Sequence, residues 1–219
     1  MIPIINKSNK IEFELSLKRR FIYSPSSRIS LISLYDTNLD DSLEAKLFIK
    51  DIYHKYYQAK IGINYPTLMA ILDKNNNILS AVGFRFADDQ DLFLEQYLGG
   101  KIEDVLSDKY QKNISRNQIV EVGSLASAGS GMSKFLFIAL AAYLRKMGYY
   151  YTAMTGTSKL RTSFKKLNLK PITLCGAKKD KLINKDDDWG SYYDSDPKVL
   201  AGNIDIGYKT LNPDPSIKS

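Results

Sequence analysis

The stretch from Gln118 to Tyr150 constrains the fold more than any other part of this chain. It reads QIVEVGSLASAGSGMSKFLFIALAAYLRKMGYY. A β-type run leads into a turn holding Gly129 and Gly131, and the turn leads into a strongly apolar helical segment. That order predicts a strand whose C-terminal end faces the N–H groups at the start of a helix, a geometry that suits a phosphate or another anion. The candidate anion-binding residues are Ala128, Gly129, Ser130, Gly131, Met132 and Ser133. Gly148 is placed to cap the helix, which the pattern puts at Ser133 to Met147. Tyr149 to Thr155 reads as the next strand, so the segment from Ile119 to Thr155 predicts a parallel strand–helix–strand crossover.

The flanking chain is read around this unit. Ile11, Phe13, Leu15 and Leu17 alternate as in a half-buried strand before Lys18-Arg19-Arg20. Phe21-Ile22-Tyr23 reads as a short strand, Ser24 to Ser27 as a turn, and Arg28 to Tyr35 as a further strand. Asp40 or Asp41 is placed to cap a helix running to about Gln58, with Ala45, Phe48, Ile49, Ile52, Tyr53, Tyr56 and Ala59 on its apolar face. Thr67 to Leu72 and Ile78 to Phe86 flank an Asp-Lys-Asn-Asn-Asn turn and predict an antiparallel hairpin. Asp88 to Tyr110 reads as helix in two pieces broken at Gly99-Gly100. A short basic helix follows Gly156-Thr157, and Pro171 to Gly176 predicts another strand. Residues 1–20 read as an N-terminal extension or strand, and 186–219 as a polar C-terminal tail. The whole, 1–219, is expected to form one domain of α/β (mixed α+β) class.

Composition narrows the function classes. Net charge is +7 with 31 Lys and Arg, which favours anionic partners without choosing among them. Cys175 is the only cysteine, so neither an intrachain disulfide nor a thiolate metal cluster can form. No secretory h-region and no apolar run of about 18 residues is present, and the expectation is a cytoplasmic protein without an integral membrane segment. The single histidine, His54, falls on the polar side of its helix, which argues against Ser-His-Asp or Cys-His chemistry. Asp186-Asp187-Asp188 lacks calcium-loop spacing, and no metal site is expected. The lysine pairs carry no nucleic-acid motif, and no nucleic acid is expected as a partner.

Glu121 stands out because it lies inside an otherwise apolar strand, with Ile119 and Gly123 on its face and Val120 and Val122 on the other. Buried there, it serves either as a general base with a raised pKa or as the partner of a nearby Arg or Lys. Glu95, beside Gln96 in a helical segment, reads on residues alone as solvated or capping.

Several segments then resemble one family. Leu94-Glu95-Gln96-Tyr97-Leu98, Ile119 to Ser127, Thr155-Gly156-Thr157 and Trp189-Gly190-Ser191-Tyr192-Tyr193-Asp194, followed by Pro197 and Gly202, are similar to the bacterial thermostable haemolysins. The core also resembles the GNAT N-acyltransferases and, among them, the acyl-homoserine-lactone synthases. The resemblance implies a central, mostly antiparallel sheet with a splayed strand. It also implies an acyl-CoA or acyl carrier protein as donor, held by Val122, Gly123, Ser124 and Leu125 together with the turn. Glu121 and Glu95 become the implied catalytic carboxylates. The implied acceptor is a small-molecule amine, and the candidate substrate-binding residues are Gln96, Arg116, Arg161, Tyr192 and Tyr193; the two arginines read either as fork-type binders of a carboxylate or phosphate or as surface charges, and the two tyrosines either as a substitute acid or as packing beside Trp189. Two departures are visible. Ala126 stands where the GNAT loop pattern has a polar residue, and Phe164 where many amine acetylators carry a tyrosine acid. The alternatives are a membrane-active cytolysin, which the family name records, and a donor-binding module without catalysis.

Overall fold

In a computed structural model the chain is described over residues 2–6, 11–15, 29–129, 131–183 and 186–212. Among these are nine strands in one sheet: β1 (Ile2–Ile5), β2 (Ile11–Leu15), β3 (Ile29–Asp36), β4 (Thr67–Asp73), β5 (Ile78–Phe86), β6 (Ile119–Ser127), β7 (Tyr151–Gly156), β8 (Ile172–Gly176) and β9 (Lys198–Asn203). Five helices accompany them: α1 (Leu43–Tyr57), α2 (Ile102–Tyr110), α3 (Met132–Lys146), α4 (Ser158–Lys166) and α5 (Ile204–Leu211). The strand order is β2-β1-β3-β4-β5-β6-β7-β9-β8. Only β1 with β3 and β6 with β7 are parallel, so the sheet is mostly antiparallel, and the expected crossover is present.

Both faces of the central strands are covered, which is why β4 and β5 read as nearly continuous apolar runs. Met69, Ile71, Val82, Phe84, Val120 and Val122 face α3 and α5. Leu68, Ala70 and Ala81 face α1. Ile119, Ala153 and Val199 sit under α2 and the segment before it.

Four expectations need correction. Asp40 and Asp41 lie in a 3-10 turn, Asp40–Ser42, and no side chain caps α1. Of the helix expected at 88–98 only a 3-10 turn forms, Phe93–Tyr97, because Glu95 closes a local capping box with the Leu92 N–H instead of propagating a helix. Over 186–212 the expected polar tail is folded into the domain. Val199, Leu200 and Ala201 are buried, and β9 is inserted between β7 and β8, with α5 folded back onto α3. Tyr56, assigned to the apolar face of α1, is exposed. The expectations for Leu17 to Arg28, for Ser130 and for 213–219 lie outside the described residues.

One irregularity shapes everything that follows. In β6, Ser124 adopts φ 50°, and the pairing with β5 slips so that Ser124 and Leu125 together oppose Val82. This is a β-bulge, and its extra residue reverses the parity of the strand. Before it the even residues Val120 and Val122 face α3. After it Ala126 faces α1, while Leu125 packs on the α3 side.

Candidate active site

The bulge coincides with a parting of strands. Parallel pairing of β6 and β7 runs from Ile119↔Tyr151 to Val122↔Met154 and stops there. Beyond it β7 stays with β9 through Gly156, while β6 stays with β5 through Ser127. Between the diverging ends opens a cavity of about 600 Å³. Its walls are the C-terminal half of β6, the start of α3, the residues Met154 to Leu160 and the C-terminal half of α1.

Seven of the ten expected donor-binding residues line this cavity: Val122, Gly123, Ser124, Leu125, Gly129, Gly131 and Ser133. Gly131 takes φ 96° immediately before α3, a conformation that only glycine adopts at low cost. Ala128 is tied to β5 through its N–H to Leu79 O, and Met132, the first residue of α3, is buried in the core; neither lines the cavity. Ser130 is outside the described residues. Ala126, the departure from the loop pattern, is fully enclosed beneath α1, and its carbonyl accepts a hydrogen bond from Ser80 Oγ at 2.8 Å. A polar side chain there would meet α1, not the cavity.

Sequence reasoning missed the opposite wall. Thr155, Thr157, Lys159, Leu160, Ser163 and Lys166 line it, and Lys159 Nζ sits 4.5 Å from the centroid of the exposed Tyr56 ring. The basic, weakly apolar pattern of α4 was the available signal.

Two smaller spaces adjoin the cavity. One, about 460 Å³ and lined mainly by apolar side chains, lies between the sheet and α3, α4 and α5, and shares Val122, Phe137 and Met154 with the first. Phe164 packs here against Phe137, ring centroids 5.3 Å apart, so this position supplies core. The other, about 50 Å³, lies on the α1 side and shares Tyr53, Gly123, Ser124, Thr155 and Tyr192 with the main cavity. Its remaining lining is aromatic and charged, including Tyr65, Tyr97, Trp189, Tyr193, Arg85 and Asp187. Tyr192 stacks on Tyr53 with centroids 6.1 Å apart, and Tyr193 shares a 2.6 Å hydroxyl contact with Tyr97. Both tyrosines thus pack and line space at once.

Glu121 lies on the same side, 1% exposed, behind that small cavity and outside the lining of all these spaces. Its two oxygens accept the N–H groups of Phe93 and Leu94, each at 2.9 Å, and Arg85 Nε approaches to 3.2 Å without hydrogen-bond alignment. Burial pushes its pKa up, Arg85 and the two N–H groups pull it back, and the balance leaves it at about 7. Both readings of this residue are therefore present together, an ion pair with an arginine and a raised pKa.

Glu95 is saturated. Its oxygens accept from Leu92 N–H (2.8 Å), Ile102 N–H (2.9 Å) and the two ends of the Arg116 guanidinium (2.7 and 3.0 Å). Burial raises its pKa, but those hydrogen bonds outweigh it and hold the carboxyl at about 2. Arg116 spends its remaining donors on Ala87 O, Gln90 O and Glu103. Gln96 bonds Phe93 O and the Ile183 N–H, and Arg161 clamps Asp196 to Gly156 O. These four side chains lie outside the linings of the main cavity and the two spaces that adjoin it. The structure thus separates them from Tyr192 and Tyr193.

Glu95 also gives a clean acid-limb prediction. Its native pKa lies below the ordinary 4.5, so its contribution is present above that pH and is lost as the pH falls towards 2. Glu95→Gln should remove about 1 kcal/mol at pH 7, discounted for its solvent contact, and flatten stability between those limits in urea titrations.

A sequence profile of the thermostable hemolysin family matches residues 36–208. The chain belongs to that family. The fold of this thermostable hemolysin family member is GNAT-like, and solved structures share it. The AHL synthase LasI superposes with a TM-score of 0.56 at 11% identity, covering 83% of this chain and 94% of that one. FeeM, an N-acyl amino acid synthase from uncultured soil microbes, gives 0.55 at 13%, covering 82% and 98%. A CoA-dependent acyl-homoserine lactone synthase, BjaI, with SAM and isopentyl-CoA, gives 0.55 at 10%, covering 86% and 90%. No curated protein matches the sequence. Among the described residues no helix is long and apolar enough to cross a membrane, and no cluster of His, Cys, Asp and Glu is arranged to hold a metal ion.

Proposed function

We propose that this protein is an N-acyltransferase. It would move a fatty acyl group from the thioester of coenzyme A or an acyl carrier protein to the amine of a small acceptor, such as an amino acid derivative. One observation carries the reading: the parting of β6 and β7 at a bulge joins three spaces of different chemistry. The main cavity suits a pantetheine arm along Gly123 to Ser127, with its phosphate towards the glycine turn and the start of α3. The apolar space behind Val122, Phe137 and Met154 suits the acyl chain. The small aromatic space suits the acceptor, whose ammonium would find ring faces and Asp187.

In this reading the carbonyl carbon sits at the wall shared by the donor and acceptor spaces, next to Gly123, Ser124 and Thr155. Beyond Val122 the β7-facing edge of β6 looks onto the cavity instead of a strand, so its backbone amides are available to polarise that carbonyl. Glu121 holds the floor of the acceptor space by fixing Phe93, Leu94 and Arg85, and Glu95 with Arg116 holds the next layer. Both carboxylates thus act as positioning residues.

The test is turnover. Purified protein is mixed with acyl-CoAs or acyl carrier proteins from four to sixteen carbons and a panel of amino acids and simple amines. Release of free thiol with a stoichiometric N-acyl product by mass spectrometry is the expected result. The absence of both across the panel would sink the proposal. The family's name supports a second reading, direct membrane lysis. Dye release from liposomes containing no thioester would favour it over acyl transfer.

A further inference from the structure

Tyr65 belongs to no strand or helix, yet two glycines are arranged around it. Its backbone is pinned by Pro66, which holds the preceding residue extended, and by Thr37, whose hydroxyl donates to Tyr65 O at 2.8 Å. From there the ring lies across β5 and β6 at paired positions that lack a β-carbon, Gly83↔Gly123. A β-carbon on Gly83 would come within 2.7 Å of the ring, and one on Gly123 would clash with the hydroxyl oxygen. The two strands therefore form a slot that admits one phenol and delivers its oxygen to the edge of the bulge. That edge is the wall shared by the donor and acceptor spaces. Arg85 stacks on the ring, its guanidinium carbon 4.8 Å from the centroid, and is itself held by Asn64 O and Gln90. No hydrogen bond engages the hydroxyl among the described residues.

We propose that the Tyr65 hydroxyl is the catalytic proton-transfer group, an inference that rests on the acyl-transfer reading above. The acceptor ammonium first releases a proton to solvent, and the free amine nitrogen then forms the C–N bond as the C–S bond breaks. Tyr65 gives its proton to the departing sulfur, and the phenolate so formed takes the surplus proton from the newly acylated nitrogen. The residue is restored, and the products are an amide and a free thiol. Burial and the nearby Glu121 carboxylate push the phenol's pKa well above its ordinary value, so the residue rests protonated and its phenolate, once formed, is a strong base towards the acylated nitrogen. This supplies from β4's entrance what the GNAT-type helix position, here Phe164, does not.

Tyr65→Phe keeps the ring in its slot and removes only the hydroxyl. The expected result is a fall in kcat of about a hundredfold, within the usual range for general acid–base groups, with both KM values and the melting temperature nearly unchanged. A second measurement separates chemistry from packing. With the same acyl group on a more acidic thiol, such as a thiophenol ester, the departing sulfur needs little protonation and the deficit should shrink at least tenfold. A kcat within threefold of wild type, or a deficit of equal size on both donors, would overturn the role of Tyr65 while leaving acyl transfer intact. Failure of the wild-type protein to turn over any thioester would instead overturn the underlying reading.

Discussion

Glu121→Ala is expected to destabilise the protein by about 3–5 kcal/mol, the usual cost of removing one partner from a buried charged pair. The Phe93 N–H and the Leu94 N–H lose their acceptor, and the Arg85 guanidinium loses its counter-charge. Chemical denaturation should show the loss, and the melting temperature should fall on the order of 10 °C for a chain of this size. Glu121→Gln retains one acceptor oxygen and should cost roughly half as much. The pH dependence has a sign opposite to that of most carboxylates. Because the folded chain binds this proton more tightly, the contribution of Glu121 is full below pH 4.5 and is lost as the pH rises through about 7. The Glu121→Gln variant should lack that decline, whereas Glu95 works the other way at the acid end. If Glu121→Ala were as stable as wild type but inactive, the carboxylate would be acting in the chemistry and not as an anchor.

The second large effect is expected at Gly190. It adopts φ 48°, and a β-carbon there would collide with the backbone oxygen of Tyr57 at the end of α1. Neither the left-handed conformation nor a backbone clash is relieved by a rotamer change, so Gly190→Ala should cost about 3–5 kcal/mol. The turn at Gly190 is what lays Trp189, Tyr192 and Tyr193 against α1, with Ser191 N–H bonded to the same Tyr57 oxygen at 2.9 Å. Losing it should open the acceptor space. Trp189 is the single tryptophan of the chain, so its emission reports on this corner directly. A red shift in Gly190→Ala, with a raised KM for the amine at temperatures where the variant stays folded, is the expected pair of observations. Unchanged emission and stability would show that the corner tolerates a side chain.

The parts of the fold that could be read from the sequence are those whose signals are local. The β6–turn–α3–β7 unit was legible because its apolar periodicity, its glycines and its length coincide. The β4–β5 hairpin was legible from its Asp-Asn turn, and α1 from its three- and four-residue spacing. What escaped the reading depends on contacts between distant segments. β9 is only six residues long and follows an acid-rich stretch, so its Val-Leu-Ala run passes for loop until β7 and β8 enclose it on both sides. The bulge at Ser124 leaves no compositional mark, and without it the facing of Ala126 is assigned to the wrong side. Arg116 and Arg161 read as candidate ligand binders because the carboxylate and carbonyl partners that engage them come from other segments. Tyr65 is the clearest case. Its setting exists only when the register places Gly83 beside Gly123, some forty residues apart in the chain.

The central claim is that the space between β6 and β7 receives an acyl thioester with its chain in the apolar cavity. It is tested most directly by titrating the protein with S-alkyl phosphopantetheines, unreactive mimics of the portion that coenzyme A and carrier-protein donors share. Trp189 emission and calorimetry would follow binding from two to fourteen carbons. Affinity should rise with chain length by up to about 0.8 kcal/mol per methylene and level off once the apolar space is filled. No binding at any length, or binding indifferent to length, would contradict the account.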